Sequence, residues 1–580
     1  MKTLSTQKSL RLRMALIGFL FFIGLGTIIG RAIYLQIFFG PSLAEKASGQ
    51  YEKTIQTNGK RGSIFDTRMR EVAVSIETIS LAAYPRKIQD TRQTARTIAR
   101  ILNVKPQSIA RKLDADRSFV WVKRQITPKE AQALRDLQLK GLEFLPEHSR
   151  YYPNRTLAAQ LVGFTGIDGN GLEGIEYLFD AELAGRKGIA TVLKDAFGRG
   201  FEAQEDMTTN TSGNNVVLSI DGAIQHLAEK ALQQAVETHK AKSGIAVVMA
   251  PRTGDILALA HAPLFNPNAF GDFNRDVRRN RAVTDAFEPG STMKLFSAAA
   301  ALESGRCTPH TIFYCENGNY RIGRNTVHDT KKHGWLSLQR IVKYSSNIGA
   351  VKIGETIGAE TLHDTLQRFG FGRPTGIACP GESKGSLGAN KKWSTFDVAA
   401  VSFGHGVSVS AIQLTAAVAA IANRGILMKP RVVLSVTDAR GRAIRTFEPQ
   451  PVGRAISAKT ADAVTRMMEM VLTEGGTGVE ATLEGYSACG KTGTAQKIGK
   501  DGTYAQDRYV ASFAGFTPVE DPRLAILVII DEPYGDDHYG GTVAAPVFRE
   551  IAQSALSYLN VRPSERAPKM TVLNTTKGTG

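Results

Sequence analysis

Three short strings hold residue types suited to nucleophilic acyl transfer: Ser291-Thr-Met-Lys294, Ser345-Ser-Asn347 and Lys491-Thr-Gly493. They follow one another at intervals of 54 and 146 residues, counted from Ser291 to Ser345 to Lys491. Glu288-Pro-Gly290 suits a turn into a helix that starts at Ser291, and at a helix start the backbone N–H groups and dipole favour negative charge on the serine oxygen. Lys294 lies three residues on and shares that face. A lysine at its ordinary pKa of about 10.4 is a poor base at neutral pH, but burial and nearby cations can lower it until it accepts the serine proton. Ser345 offers a hydroxyl to relay a proton to a leaving amine, and Asn347 an amide to hold both Lys294 and a substrate backbone. Lys491 can meet a substrate carboxylate and tune its neighbours. Thr492, Gly493 and Thr494 then form the strand edge where substrate lies, with Gly493 permitting close approach. The N–H groups of Ser291 and Thr494 can make an oxyanion hole. Taken singly, each string has an ordinary reading: a capped helix with a solvated lysine, a polar turn, a β-turn. Their order and local settings together favour the chemistry.

The elements that must position these residues read as α+β. Ile245 to Met249 and Asp255 to Ala260 are apolar runs joined by Pro251-Arg-Thr-Gly254, a hairpin signal. An Ala-rich helix is expected from Ser291 to about Glu303, closed by Gly305, with further helices at Leu338–Lys343, Ala411–Ala422, Ala461–Leu472 and Ala545–Leu559. Strands are expected at Gly490–Gln496, Tyr509–Phe516 and Leu524–Ile530, so that the two ends of this half meet in one antiparallel sheet. Upstream, Thr94–Leu102 and Pro128–Leu137 are helical, residues 203–215 read as a loop before a strand at Val216–Ile220, and the main boundary is expected near 215 to 240.

Residues 14–30 carry no charge and reach roughly 25 Å as a helix, just short of a bilayer core. Continuing to about 37 supplies the missing length. Lys2, Lys8, Arg11 and Arg13 precede this run and no acid does, so a transmembrane anchor at 14–37 keeps residues 1–13 in the cytoplasm and exports the rest. A cleaved signal peptide is the rival, disfavoured by the run's length and the lack of a small-x-small site. The net charge of +18 and pI near 9.6 suit an anionic membrane or wall, or serve solubility alone. No nucleic-acid motif is visible. Four cysteines are few for an exported chain of this size, the spacing of Cys307 and Cys315 leaves their pairing open, and the ten histidines show no metal spacing.

The triple, in this order, resembles that of penicillin-binding proteins and class A β-lactamases. Further strings extend the likeness over nearly the whole chain: Arg61-Gly-Ser-Ile-Phe-Asp66, Arg150-Tyr-Tyr-Pro153, Gly163-Phe-Thr-Gly166 and Gly171-Leu-Glu-Gly174 resemble pedestal motifs of class B penicillin-binding proteins, although Thr67 stands where the family has arginine. Phe403-Gly-His-Gly406 occupies the place of a G-Y-G string. Asp531-Glu-Pro533 and Tyr539-Gly-Gly-Thr-Val-Ala-Ala-Pro546 are similar to division-specific members (the FtsI type, penicillin-binding protein 3).

The resemblance implies a pedestal at 50–225, a β-lactamase-like transpeptidase domain at 240–560 with helices flanking an antiparallel sheet, and a disordered tail at 561–580. It implies a periplasmic D,D-transpeptidase of the inner membrane at the division septum. Ser291 would attack the penultimate D-Ala of a stem pentapeptide, and a neighbouring strand's amine would resolve the acyl-enzyme. β-Lactams would acylate the same serine. Lys294, Ser345, Asn347 and Lys491 would complete the catalytic set, with no metal or organic cofactor. Implied partners are lipid-linked precursor, a polytopic glycan polymerase and other divisome proteins. Rival readings are a D,D-carboxypeptidase, an elongation-type transpeptidase and a non-catalytic β-lactam sensor or scaffold. The anchor and pedestal argue against a soluble β-lactamase, and 40–240 shows no glycosyltransferase motif.

Overall fold

The structure is a computed structural model that describes residues 3–40, 42–43, 52–57, 59–114, 116–185, 188–194, 200–205, 212–499, 503–535 and 537–563. The chain forms two compact units: 1–59 with 186–211, and 60–185 with 212–580.

In the first unit, helix-tolerant residues, uncharged from 14 to 30, sustain a long helix, Thr3–Ile33, which widens into a π-helical turn at Tyr34–Phe38. Its stretch Leu10–Phe38 is long and apolar enough to cross a membrane and buries none of that surface against protein. The expected span 14–37 lies within it. The strands Glu52–Thr57, Gly188–Lys194 and Gly200–Glu205 pair antiparallel in that order.

The second unit is built on a five-stranded antiparallel sheet. Its order is Ile256–Ala262, Ser243–Met249, Leu524–Asp531, Tyr504–Thr517, Cys489–Ile498. The expected hairpin at 245–260 and the three C-terminal strands are all present. Ser243–Met249 and Leu524–Asp531 are buried throughout, as continuous apolar runs covered on both faces must be. The helix Ala411–Ala422 is buried at every position and packs on the sheet. The helix Lys294–Glu303 packs against Asn347–Arg368 and Ala458–Val471. The sheet's other face carries Gly222–Thr238 and Ala545–Tyr558. The four cysteines are buried and unpaired.

A second sheet, of seven strands, runs across the boundary expected near 215 to 240. Asn215–Leu218 pairs parallel with Ile64–Phe65 on one side and antiparallel with Val433–Thr437 on the other. The pedestal strings converge around one buried carboxylate. Glu176, fully buried, receives Arg61 Nε at 2.7 Å and Arg150 Nε at 2.6 Å, and Tyr152 donates to it at 3.2 Å. Asp66 accepts from Arg68 N, Arg70 N and Arg70 Nε. The tail from 564 onward, expected to be disordered, lies outside the described residues.

Candidate active site

Ser291 stands in a single 3₁₀ turn, Gly290–Met293, that leads into the helix Lys294–Glu303. The helix therefore begins three residues later than expected, because Gly290 holds φ +53 and turns the chain before the α-spiral starts. The Ser291 side chain is partly exposed, and among the described residues its hydroxyl has no hydrogen-bond partner.

Two glycines clamp this turn between neighbours. A Cβ on Gly404, at φ +93, would overlap the Gly290 carbonyl, while Gly290 N donates to Gly404 O at 3.2 Å. A Cβ on Gly493 would collide with Ser512 Oγ and come within 2.9 Å of Pro289 O. Gly493 thus admits the turn that carries Ser291 against the edge strand Cys489–Ile498, in space expected to receive substrate.

Lys294 is 1% exposed. Its Nζ lies 2.5 Å from Ser345 O, 2.7 Å from Asn347 Oδ1 and 3.2 Å from Ser345 Oγ. Lys491, at 0% exposure, donates to the same Ser345 Oγ at 2.9 Å and to Thr492 O at 3.1 Å. The serine hydroxyl therefore bridges two buried lysines. This geometry departs from the expected contact between Lys491 and a substrate carboxylate: its ammonium is enclosed and committed to Ser345.

The electrostatics follow from burial. Removal from water pushes the Lys294 ammonium down to about 7, with the charge of Asp329 opposing the shift. Burial, and behind it the charge of Lys294, holds Lys491 well below its ordinary value. Two ammonium ions sharing one hydroxyl in a dry cleft repel strongly, so their protons titrate as a coupled pair. A neutral Lys294 amine has two N–H groups, matched by Ser345 O and Asn347 Oδ1, and one lone pair left to accept a proton. Burial and the Lys294 charge also bring His405 down to about 4, leaving it a neutral imidazole beside Phe403 and Tyr504. Glu288, its carboxyl pushed up by burial, accepts from Gly406 N at 2.9 Å and from the Tyr504 hydroxyl, fastening the loop that carries Gly404.

Ser345 adopts φ +60 at the end of the helix Leu338–Tyr344, and Ser346 caps the next helix, Asn347–Arg368. This is the break expected from sequence. On the edge strand, Thr492 is buried with its hydroxyl 2.8 Å from Thr477 Oγ1, whereas Thr494 is partly exposed and accepts from Gly540 N at 3.1 Å. Thr494 is thus the member of that trio left open to the cleft. Sequence reasoning missed Asp329, which binds the start of the helix after Ser346. No local pattern marks it, since a lone Asp after a short strand is ordinary.

Residues 244–553 match the family described as the penicillin binding protein transpeptidase domain, and residues 56–218 match the penicillin-binding protein dimerisation domain. Among similar proteins, the peptidoglycan D,D-transpeptidase FtsI of Escherichia coli K12 is 33% identical over 98% of this chain and 96% of its own length. The probable peptidoglycan D,D-transpeptidase PenA of Neisseria meningitidis is 35% identical over 93% and 91%. Stage V sporulation protein D of Bacillus subtilis is 32% identical over 94% and 85%. Among solved structures, penicillin-binding protein 3 of Mycobacterium tuberculosis complexed with aztreonam superposes with a TM-score of 0.69 at 30% identity, over 88% of this chain and 98% of that one. Both matched domains in one chain, with full-length relatives above 30% identity, show that this protein belongs to the class B penicillin-binding protein transpeptidases.

Proposed function

We propose that this peptidoglycan D,D-transpeptidase cross-links septal wall through an acyl-enzyme on Ser291, from a pedestal (50–225) and catalytic domain (240–560) held outside the inner membrane by the anchor at 14–37. The observation that carries the reading is the bridging Ser345 hydroxyl between two buried lysines, one of them three residues from Ser291, whose hydroxyl has no hydrogen-bond partner among the described residues.

The chemistry follows from those groups. The Ser291 proton passes to the neutral Lys294 amine as Oγ attacks the carbonyl of the penultimate D-Ala. The N–H groups of Ser291 and Thr494 receive the oxyanion. Ser345 hands its proton to the departing D-Ala amine and is reprotonated from the Lys294 ammonium, which restores the base. The acyl-enzyme then yields to a stem-peptide amine: its proton leaves by the reverse route, and Ser291 regains its own. Asn347 holds Lys294 on one side and the substrate backbone on the other. β-Lactams enter at the first step, in keeping with the aztreonam complex of the mycobacterial relative.

Relatives named FtsI and the strings Asp531-Glu-Pro533 and Tyr539–Pro546 support the division-specific assignment. Its partners are then a polytopic glycan polymerase and other divisome proteins, with lipid-linked precursor feeding the polymerase. Depleting the protein tests this: filaments with blocked septa are expected, and rounded cells would reassign it to elongation. Cross-linking of purified lipid-linked precursor, with and without the polymerase, tests the reaction. Release of D-Ala without cross-links under both conditions would make it a carboxypeptidase.

A further inference from the structure

Asp329 follows the strand Asn325–His328 and reaches the start of the helix Asn347–Arg368. Its Oδ1 accepts from Asn347 N at 2.5 Å and Ile348 N at 3.0 Å, and its Oδ2 accepts from Ser346 Oγ at 2.6 Å. Ser346 Oγ itself accepts from Gly349 N at 2.9 Å. One residue earlier, the His328 carbonyl takes Asn347 Nδ2 at 2.9 Å. Asn347 is thereby held at its backbone and at its amide nitrogen, and its remaining amide atom, Oδ1, meets Lys294 Nζ at 2.7 Å. The same grip fixes the chain just after Ser345, a non-glycine residue in the left-handed region, where a serine stays only if its neighbours hold it.

Three ionisable groups bear on Lys294 from the elements around it: Lys491 from the edge strand, His405 from the loop after the helix Thr395–Ser402, and Asp329. Asp329 is the acidic one. Asp329 also bears on Cys315, whose thiol is pushed up by burial and, to a lesser degree, by that carboxylate.

We propose that Asp329 is a positioning residue for acyl transfer: through the Ser346–Asn347 turn it aims Ser345 and Asn347 at Lys294, and it places a negative charge behind the amine that takes the Ser291 proton. The inference rests on the reading of Ser291 as nucleophile and Lys294 as base. With two lysines and an imidazole around the cleft, an acid on this flank is what keeps the site able to hold the transferred proton. Without it, Lys294 would shed its proton at lower pH and take one from Ser291 less readily.

Two variants separate geometry from charge. Asp329→Asn keeps Oδ1 for the two N–H donors and removes the charge, its Nδ2 turning the Ser346 hydroxyl from donor to acceptor, while Asp329→Ala removes the charge and all three bonds. The measurement is the second-order rate of acylation of the full chain in detergent by a fluorescent penicillin, from about pH 5 to pH 9, with thermal unfolding as a control. Asp329→Asn should move the acid limb of the profile toward lower pH by at least about half a unit. Asp329→Ala should lose at least about tenfold from the plateau. A limb in Asp329→Asn that coincides with wild type, or an undiminished plateau in Asp329→Ala, overturns the proposal. Should Asp329→Ala fail to fold, the Asp329→Asn limb decides alone. Failure of the reading beneath is seen separately, in the wild-type protein: an acyl group on a residue other than Ser291, or a profile without a limb, overturns both.

Discussion

Replacing Lys294 with arginine keeps a cation and removes the group proposed as the base. Burial brings Lys294 from 10.5 to about 7, so about half of the molecules carry a neutral amine at pH 7. A lysine left at its ordinary value would be neutral in roughly one molecule in 3,000 at that pH, and an arginine in fewer than about one in 100,000. Burial therefore raises the supply of base by up to about 1,500-fold, an upper limit on its effect because a weaker base also transfers protons less readily. The sign is fixed by the group: Lys294 loses its proton as pH rises through about 7, and the neutral form is the active one. Second-order acylation of the wild-type protein by a fluorescent penicillin should climb about tenfold per unit on the acid side and level off above about pH 8. Lys294→Arg should fall below about one thousandth of wild type across that range. A wild-type rate still climbing tenfold per unit through pH 9 would mean that Lys294 is not the depressed base. Retention of more than about 1% of the rate in Lys294→Arg would mean that another group takes the proton.

Gly493→Ala should lower acylation at least about a hundredfold at near-normal pedestal stability, because its Cβ forces the Pro289–Ser291 turn off the edge strand and misplacement of about 1 Å costs that much; stopped-flow acylation with a fold control checks it. Glu176→Ala takes the carboxylate of the buried Arg150 and one of the two that hold the buried Arg61, which keeps Asp180, and should cost about 3 kcal/mol or more, read as a fall in the urea midpoint at constant slope. An unmoved midpoint would show that the cluster is dispensable for stability. Reporter fusions after residue 60 should be active only outside the cytoplasm, and sequencing of the mature N-terminus should find the chain intact. A start between about 25 and 50 would make the first helix a signal peptide.

What could be read from the sequence were elements whose pattern is local. The all-apolar runs at 245–249 and 524–530, the Ala-rich helix at 411–422 and the break after Tyr344 each carry their own period or punctuation, and they stand where expected. The three strings converge for the same reason, since each sits at the end or edge of such an element. The seven-stranded sheet left no comparable mark. Its link across the expected boundary is the pairing of a four-residue strand, Asn215–Leu218, with Val433–Thr437, too short and too distant in sequence to show a period. The long helix Gly222–Thr238 was hidden by its polar interior: Gln225 and Glu229 are buried and bonded to each other at 2.7 Å, and burial pushes the Glu229 carboxyl up to about 7. The burial of Lys491 was likewise invisible, because a lysine in a strand reads as solvated until a shared hydroxyl, Ser345, is brought to it from 146 residues away and a second cation, Lys294, from 197. The contacts of Asp329 with Ser346, Asn347 and Ile348 are likewise non-local, 17 to 19 residues apart.

Peptide mapping by mass spectrometry after reaction with a β-lactam locates the acyl group outright. One adduct on the peptide containing Ser291, abolished in a folded Ser291→Ala protein, is the expected result. An adduct on any other residue, or labelling that survives Ser291→Ala, would contradict the assignment of Ser291 as the nucleophile and, with it, the mechanism built on the two buried lysines.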